Sequence, residues 1–148
     1  MQSLVKRIIK IGSIVGVGGF LLIQLIPFGH NHTNPPVVSE PNWDSPQTRE
    51  LAQRACFDCH SNETVWPWYS NVAPISWLVQ NDTIEGRQHL NFSTWNSGGQ
   101  GREPGEAIES IANGWMPMQV YLITHPQARL TAAEKQALMD GLRATIYQ

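Results

Sequence analysis

Cys56-Phe57-Asp58-Cys59-His60 is the stretch around which the rest of the chain is organised. Cys-x-x-Cys-His is the attachment signal of a c-type haem. Two cysteines three positions apart share one face of a helical turn, so both thiols can add to the two vinyl groups of the ring. His60 follows directly, which carries its imidazole under the ring as the proximal iron ligand. The motif uses both cysteines of the chain. It therefore predicts one covalently attached haem c.

Three other interpretations of this stretch are weaker. A thioredoxin-like redox pair needs a strand–helix context that the flanking sequence lacks. A zinc site needs a second pair of ligands at finger spacing, and none is present. A disulfide across the short loop would not explain why a histidine directly follows the second cysteine.

Composition limits the class of protein. The chain has 148 residues, which is enough for one domain and an appendage. Its formal charge is −2 and it has no polybasic stretch, so the sequence does not indicate a surface that binds nucleic acid. Six tryptophans and ten prolines indicate a loop-rich domain with aromatic walls, which suits a flat apolar ring.

Residues 1–28 predict a membrane anchor. Lys6, Arg7 and Lys10 precede an uncharged run from Ile11 to Phe28, which at ~1.5 Å per residue spans most of a bilayer core. A cleaved signal peptide is the alternative, but no small-x-small cleavage site follows. If the segment is an uncleaved anchor, the three cations stay on the cytoplasmic side of the membrane. We therefore expect a single-pass protein of a bacterial inner membrane, with the haem domain on the periplasmic side.

Residues 29–44 predict a flexible linker, and residues 45–148 the c-type haem-binding domain. The linker is rich in proline and asparagine and poor in apolar residues. Its His30 and His32 are more typical of solvated side chains than of a metal site.

The domain from residue 45 shows helical signals only. Ser45-Pro46 predicts a helix start, and Thr131-Ala-Ala-Glu134 is a capping box. Between them, residues 74–90 predict a helix with Trp77, Ile84 and Leu78 facing inward. Pro104 and Gly114 frame a shorter helix. No run alternates as a strand would, so the predicted fold class is all-α, preceded by one transmembrane helix.

The second axial ligand decides the function, and four residues are candidates for it. Met116 comes first because it follows the helix stop at Gly114 and because Pro117 fixes its backbone. Met118, His89 and His125 remain open as alternatives, and either methionine could instead fill the core.

The chain also resembles the bacterial haem-binding domain family, which are single-haem c-type cytochromes. The resemblance runs from about Ser45 to Ile146 and rests on several blocks in order: Cys56-x-x-Cys59-His60-Ser61-Asn62-x-Thr64-x-Trp66-Pro67-Trp68-Tyr69-Ser70, Pro74-x-Ser76-Trp77, Gly86-Arg87-x-x-x-Asn91-Phe92-Ser93-x-Trp95, Met116-Pro117, Tyr121, His125-Pro126, Leu130-Thr131 and Glu134. It implies a cytochrome c-like fold with Met116 as the distal ligand. Met118 stands where the family commonly has a second proline.

Further contacts with haem are expected from side chains in these blocks. Arg87 is a candidate partner for a propionate, because guanidinium binds carboxylate bidentately. Asp58 is expected to be a solvated residue. Five aromatic residues could wall the ring or fill the core: Trp66, Trp68, Tyr69, Trp77 and Trp95.

The predicted function is one-electron transfer by a membrane-anchored single-haem cytochrome, not catalysis. Histidine and methionine together fill both axial positions of the iron and raise its potential. A gas sensor or peroxidase-like enzyme would need an open or displaceable distal site. An accessory haem subunit of a larger membrane complex is compatible with electron transfer. Redox proteins are the expected partners.

Overall fold

The computed structural model describes residues 2–101, 103 and 105–147. In these ranges the regular structure is helical, and the one backbone bridge outside the helices joins Ser39 to Thr94. The all-α prediction is confirmed for this part of the chain. The α-helices are α1 (Gln2–Ile23), α2 (Pro46–Ala55), α3 (Phe57–His60), α4 (Ile75–His89), α5 (Glu106–Ala112), α6 (Tyr121–Thr124) and α7 (Ala132–Ile146), and 3₁₀ turns cover Trp68–Asn71, Trp95–Ser97 and Pro126–Ala128.

The chain divides into two compact units. The first comprises the residues up to His32 together with Trp66–Asn81, and the second comprises Thr33–Val65 and the chain from Asp82 onward. Helix α4 therefore contributes its first half to one unit and its second half to the other. The predicted boundaries at residues 28 and 44 stay a prediction.

Contacts between distant segments hold the first unit together. The side-chain amide of Gln24 donates to the carbonyl of Ala73 at 3.0 Å and accepts from the amide of the same residue at 2.9 Å. The ring of His32 stacks on Trp66 with the centroids 4.6 Å apart. A nitrogen of the same imidazole lies 3.1 Å from the carbonyl oxygen of Ser70. His32 is therefore a packed side chain and not a freely solvated one.

The predicted transmembrane helix is wrong. Helix α1 ends at Ile23 and carries Lys6, Arg7 and Lys10 in its first half, which leaves an uncharged part from Ile11 onward. At ~1.5 Å per residue that part is about 20 Å long, short of a ~30 Å hydrocarbon core. Among the described residues, none of the helices combines the length and apolar character needed to cross a membrane. The finding also overturns the predicted single-pass placement in a bacterial inner membrane.

One apolar core organises the second unit. Helices α2 and α5 both pack on α7. The buried apolar cluster consists of Leu51, Ala52, Ala55, Phe57, Phe92, Trp95, Ile111, Leu130, Leu138 and Leu142. Trp43, in the segment before α2, joins it with its ring centroid 5.1 Å from that of Phe92. Burial of these side chains is the main source of the unit's stability.

Local signals set the ends of these helices as the sequence predicts. The Ser45 hydroxyl accepts from the amide of Thr48 at 3.2 Å, which caps α2. At α7, Thr131 and Glu134 form a reciprocal capping box. Helix α5 ends at Ala112, and Gly114 follows with φ +72°, a conformation that disfavours any side chain. Pro104, predicted to start α5, lies outside the described residues.

The predicted inward face of α4 is wrong for two of its three residues, whereas Trp77 is half-buried. Leu78 is 63% exposed and Ile84 is 39% exposed. The buried side of the helix instead carries Ser76, Thr83 and Gly86. These small residues let other backbone segments approach closely, which a rule based on large apolar residues does not detect.

Candidate haem site

A cavity of about 340 Å³ opens in the second unit, within the range of volumes that hold small-molecule cofactors. Cys56, Cys59 and His60 line it together with the segment 116–118. Its apolar wall is built from Ala55, Phe92, Ala107, Ile111 and Leu142. The attachment motif and both candidate thioether ligands therefore share one cavity.

The attachment motif forms the helical turn that its spacing predicts. The amides of Cys59 and His60 donate to the carbonyl of Cys56 at 3.2 and 2.8 Å. Phe57 is only 2% exposed and packs 5.5 Å from Phe92, centroid to centroid. A buried ring between the cysteines thus ties the turn to the core, while both thiols remain at the cavity.

Hydrogen bonds fix the tautomer of His60. Its Nδ1 lies 2.9 Å from the carbonyl oxygen of Gly86 and 3.1 Å from that of Leu90. Carbonyl oxygens only accept, so Nδ1 carries the proton and Nε2 keeps its lone pair. Burial lowers the pKa of His60, which keeps the ring neutral despite these two bonds. A neutral imidazole with a free Nε2 is the form that binds iron.

Helix α4 touches the motif at Gly86. A Cβ built on this residue would collide with the carbonyl oxygen of Cys59 and lie 2.9 Å from its Cβ. Only glycine lets the helix approach this closely, and the approach brings the Gly86 carbonyl to His60.

Buried polar groups join the residues after the motif to the segment after α4. The amide of Phe92 donates to the carbonyl of His60 at 2.8 Å. Asn62 donates its amide to the Ser93 hydroxyl and accepts from the Asn91 side chain, both at 2.9 Å. A satisfied network of this kind rigidifies its surroundings. The blocks around Asn62 and Asn91 that carry the family resemblance are therefore in direct contact.

The two thiols do not suit the alternatives to haem. They form no disulfide. Burial raises the pKa of Cys56 and of Cys59 to about 12, and the charge of Asp82 acts on Cys59 in the same direction. Thiols that stay protonated at neutral pH are poor in disulfide exchange. In the ranges that the structure covers, no group of three or more His, Cys, Asp or Glu residues is arranged for a metal ion.

The segment after α5 brings two methionines to the cavity. The amides of Trp115 and Met116 both donate to the carbonyl of Ser110, at 2.9 and 3.1 Å, which turns the chain after the helix. Met116 is 36% exposed, and Met118 is less so. Both line the cavity, as does His89, whereas the residues that line it do not include His125. The choice of Met116 over Met118 stays a prediction.

The guanidinium of Arg87 is bound by the loop that follows the motif. It donates to the carbonyl of Ser61 at 2.8 Å, to the Thr64 hydroxyl at 2.9 Å and to the Asn34 side chain at 3.0 Å. Arg87 is not among the residues that line the cavity. Arg87 thus braces the loop that follows the motif, and its contact with a haem propionate stays a prediction.

The five predicted aromatic residues fall into two groups. Trp95 is buried in the core and stacks on Phe92, with the ring centroids 5.9 Å apart. Phe92 in turn lines the cavity, so Trp95 supports its wall from behind. The other four belong to the first unit, and their contact with haem stays a prediction: Trp66, Trp68, Tyr69 and Trp77.

Sequence reasoning missed the acidic character of the cavity. Four carboxylates line it, from Asp82, Glu85, Glu103 and Glu106, and the described lining holds no lysine or arginine. Burial raises the pKa of Asp82, and the charge of Glu85 adds to the effect. Asp82 stands four positions before Gly86, and Glu85 stands four before His89, so helical spacing along α4 was the available signal.

Asp58 is not the solvated residue that the sequence suggests. Its carboxylate accepts a hydrogen bond from the Tyr121 hydroxyl at 2.7 Å and another from the amide of Val65 at 2.9 Å. Tyr121 also lines the cavity. The residue between the two cysteines therefore joins the motif to the segment that carries the methionines.

These residues fit a haem. Two thiols one helical turn apart, an imidazole with its Nε2 lone pair free and two thioethers meet at one largely apolar cavity. The fold and the site define an all-helical haem protein.

Comparison with protein families agrees with this class. The model of a haem-binding domain family matches residues 18–144, so the chain belongs to that family. Neither the curated proteins nor the solved structures contain a match to the chain. The cytochrome c-like arrangement that the resemblance implies stays a prediction.

Proposed function

We propose that the protein is a single-haem c-type cytochrome that transfers one electron to and from redox partner proteins. The observation that carries the proposal is the meeting of Cys56, Cys59, His60 and Met116 at one cavity. The two thiols supply the covalent attachment. The imidazole of His60 and a thioether would hold the iron of a bound haem, and a pair of protein ligands of this kind would favour electron transfer over the binding of a substrate.

The residues of the chain have separate tasks in this function. A bound haem supplies an iron that changes between the ferric and ferrous states. Gly86 and Leu90 hold the His60 ring in one tautomer through their carbonyl oxygens. The thioether of Met116 is a soft ligand that favours ferrous iron and therefore raises the reduction potential. The buried network around Asn62 limits movement of the motif between the two states.

A spectroscopic redox titration tests the proposal. The purified holoprotein should oxidise and reduce reversibly as a one-electron couple. Carbon monoxide should leave the spectrum of the reduced protein almost unchanged, because both axial positions are filled.

A displaceable distal site is the second candidate function, and the position of Met116 favours it. Met116 follows the end of α5 and is not part of the buried core, so its thioether could leave an iron with little rearrangement of that core. A gas sensor or peroxidase-like activity would then be the outcome. Rapid and complete binding of carbon monoxide by the wild-type protein would replace the electron-transfer proposal with this one.

A further inference from the structure

We propose that the hydrogen bond from Tyr121 to Asp58 acts as a latch that holds the methionine segment, residues 115–121, against the attachment motif. The latch keeps the thioether at the iron, so this inference rests on the proposed function. Tyr121 and Asp58 are positioning residues because they act on the iron through the segment and not by contact.

Asp58 is a fixed anchor. One carboxylate oxygen accepts from the amide of Val65 at 2.9 Å, and its backbone carbonyl accepts from the Thr64 hydroxyl at 2.7 Å. The second carboxylate oxygen receives the Tyr121 hydroxyl at 2.7 Å. A hydrogen bond of this length to a carboxylate is of the strong, charge-assisted type.

Tyr121 is held just as firmly on its own side. Its ring stacks on that of His125 with 3.9 Å between the centroids and 13° between the planes. The Nε2 of the same imidazole lies 3.8 Å from the Asp58 carboxylate. Burial and the bond to Asp58 raise the pKa of Tyr121, so the phenol remains a donor. Ring stacking alone would not direct Tyr121 towards the motif, whereas the hydroxyl does.

The latch is directly coupled to both candidate ligands. Tyr121 lies three residues after Met118 and five after Met116, and all three line the cavity. The carbonyl of Met118 accepts from the amide of Leu122 at 3.2 Å, which ties the ligand segment to helix α6. Elsewhere the segment is bound to the end of α5 through Ser110. Loss of the latch therefore removes the hydrogen bond that joins the other end of the segment to the motif.

The test compares Tyr121→Phe, Asp58→Asn and the double variant with the wild-type holoprotein. Tyr121→Phe removes one oxygen and retains the stacked ring. We expect affinity for carbon monoxide in the reduced protein to rise about 10- to 100-fold, the effect of losing a hydrogen bond to a charged group. The far-red sulfur-to-iron band of the oxidised protein should weaken. Because the two residues share one hydrogen bond, the carbon monoxide affinity of the double variant should be little higher than that of either single variant. Tyr147→Phe, at a tyrosine that is 69% exposed, is the matched control.

Hydrogen exchange of the backbone supplies a second readout that does not depend on iron ligation. Exchange at residues 118–125 should be faster in Tyr121→Phe and unchanged in Tyr147→Phe. Unchanged exchange in Tyr121→Phe would overturn the latch, and so would faster exchange without a change in carbon monoxide affinity. If the wild-type protein itself lacks the far-red band, the proposed methionine ligation has failed, and the exchange result alone decides whether the latch exists.

Discussion

The Nδ1 atom of His60 lies 2.9 Å from the carbonyl oxygen of Gly86, and this contact joins the attachment motif to helix α4. The same glycine leaves room for the backbone of Cys59. Gly86 thus helps to orient the His60 imidazole and sets the spacing between the helix and the motif.

Gly86→Ala should impair haem attachment. The new methyl group would overlap the Cys59 carbonyl and push α4 away from the motif, which breaks the bond that orients His60. We expect less covalent haem per protein, together with a loss of stability of roughly 1–3 kcal/mol from overpacking. The ratio of haem to protein in purified samples measures the first effect.

Gly16→Ala is the control for this experiment. Gly16 also lies inside a helix, but a Cβ at this position meets no atom within 4 Å. The control should retain the wild-type haem content. Full haem content in Gly86→Ala as well would show that the close approach is not needed.

Met116→Ala and Met118→Ala separate the two candidate distal ligands. Met116→Ala should abolish the far-red band of the oxidised protein, lower the reduction potential and let carbon monoxide bind the reduced form, because the soft thioether favours ferrous iron. Met118→Ala should change none of these. The reverse result would identify Met118 as the ligand. If neither substitution changes these properties, His89 becomes the candidate ligand.

Asp82→Asn should raise the reduction potential. Asp82 lines the cavity, and a negative charge there stabilises the more positive ferric state of a bound haem. Removal of one partly screened unit charge corresponds to a shift on the order of tens of millivolts. Asp140→Asn is the control, since that side chain is 57% exposed and lies outside the cavity lining. Equal potentials in Asp82→Asn and wild type would mean that solvent screens the cavity carboxylates.

Glu134→Gln should destabilise the protein at neutral pH but not in acid. The amide of Thr131 and then the guanidinium of Arg54 lower the pKa of Glu134 from 4.5 to about 2. A carboxylate with a lowered pKa stabilises the fold above its ordinary pKa, and the contribution is lost as the pH falls through the lowered value. The difference in unfolding free energy between Glu134→Gln and wild type should therefore shrink between pH 4.5 and about pH 2.

Urea unfolding at several pH values measures this difference. Glu109→Gln, at an exposed glutamate of α5, is the control. A gap between Glu134→Gln and wild type that stays constant down to pH 2 would mean that the carboxylate charge of Glu134 does not stabilise α7.

Local signals explain what the sequence predicted correctly. The i, i+3 spacing of Cys56 and Cys59, the caps at Ser45 and Thr131 and the glycine stop at Gly114 each depend on a few neighbouring residues. The structure reproduces all of them. These local signals are sufficient to predict the helical class.

The failures concern relationships over long distances in the chain. Asp58 and Tyr121 are 63 positions apart, and nothing near Asp58 indicates a phenol as its partner. For residues 1–28, the hydropathy of the stretch does not show that α1 ends at Ile23, inside the apolar run.

Covalent attachment of haem is the central claim, and acid–acetone extraction of the denatured protein tests it most directly. Wild-type protein should keep its haem in the protein pellet, because each thiol adds across a vinyl double bond and forms a carbon–sulfur bond that denaturation does not break. Cys56→Ser with Cys59→Ser should release all haem into the solvent, while His60→Ala should alter the spectrum of whatever haem it attaches. Complete extraction of haem from the wild-type protein would contradict the account.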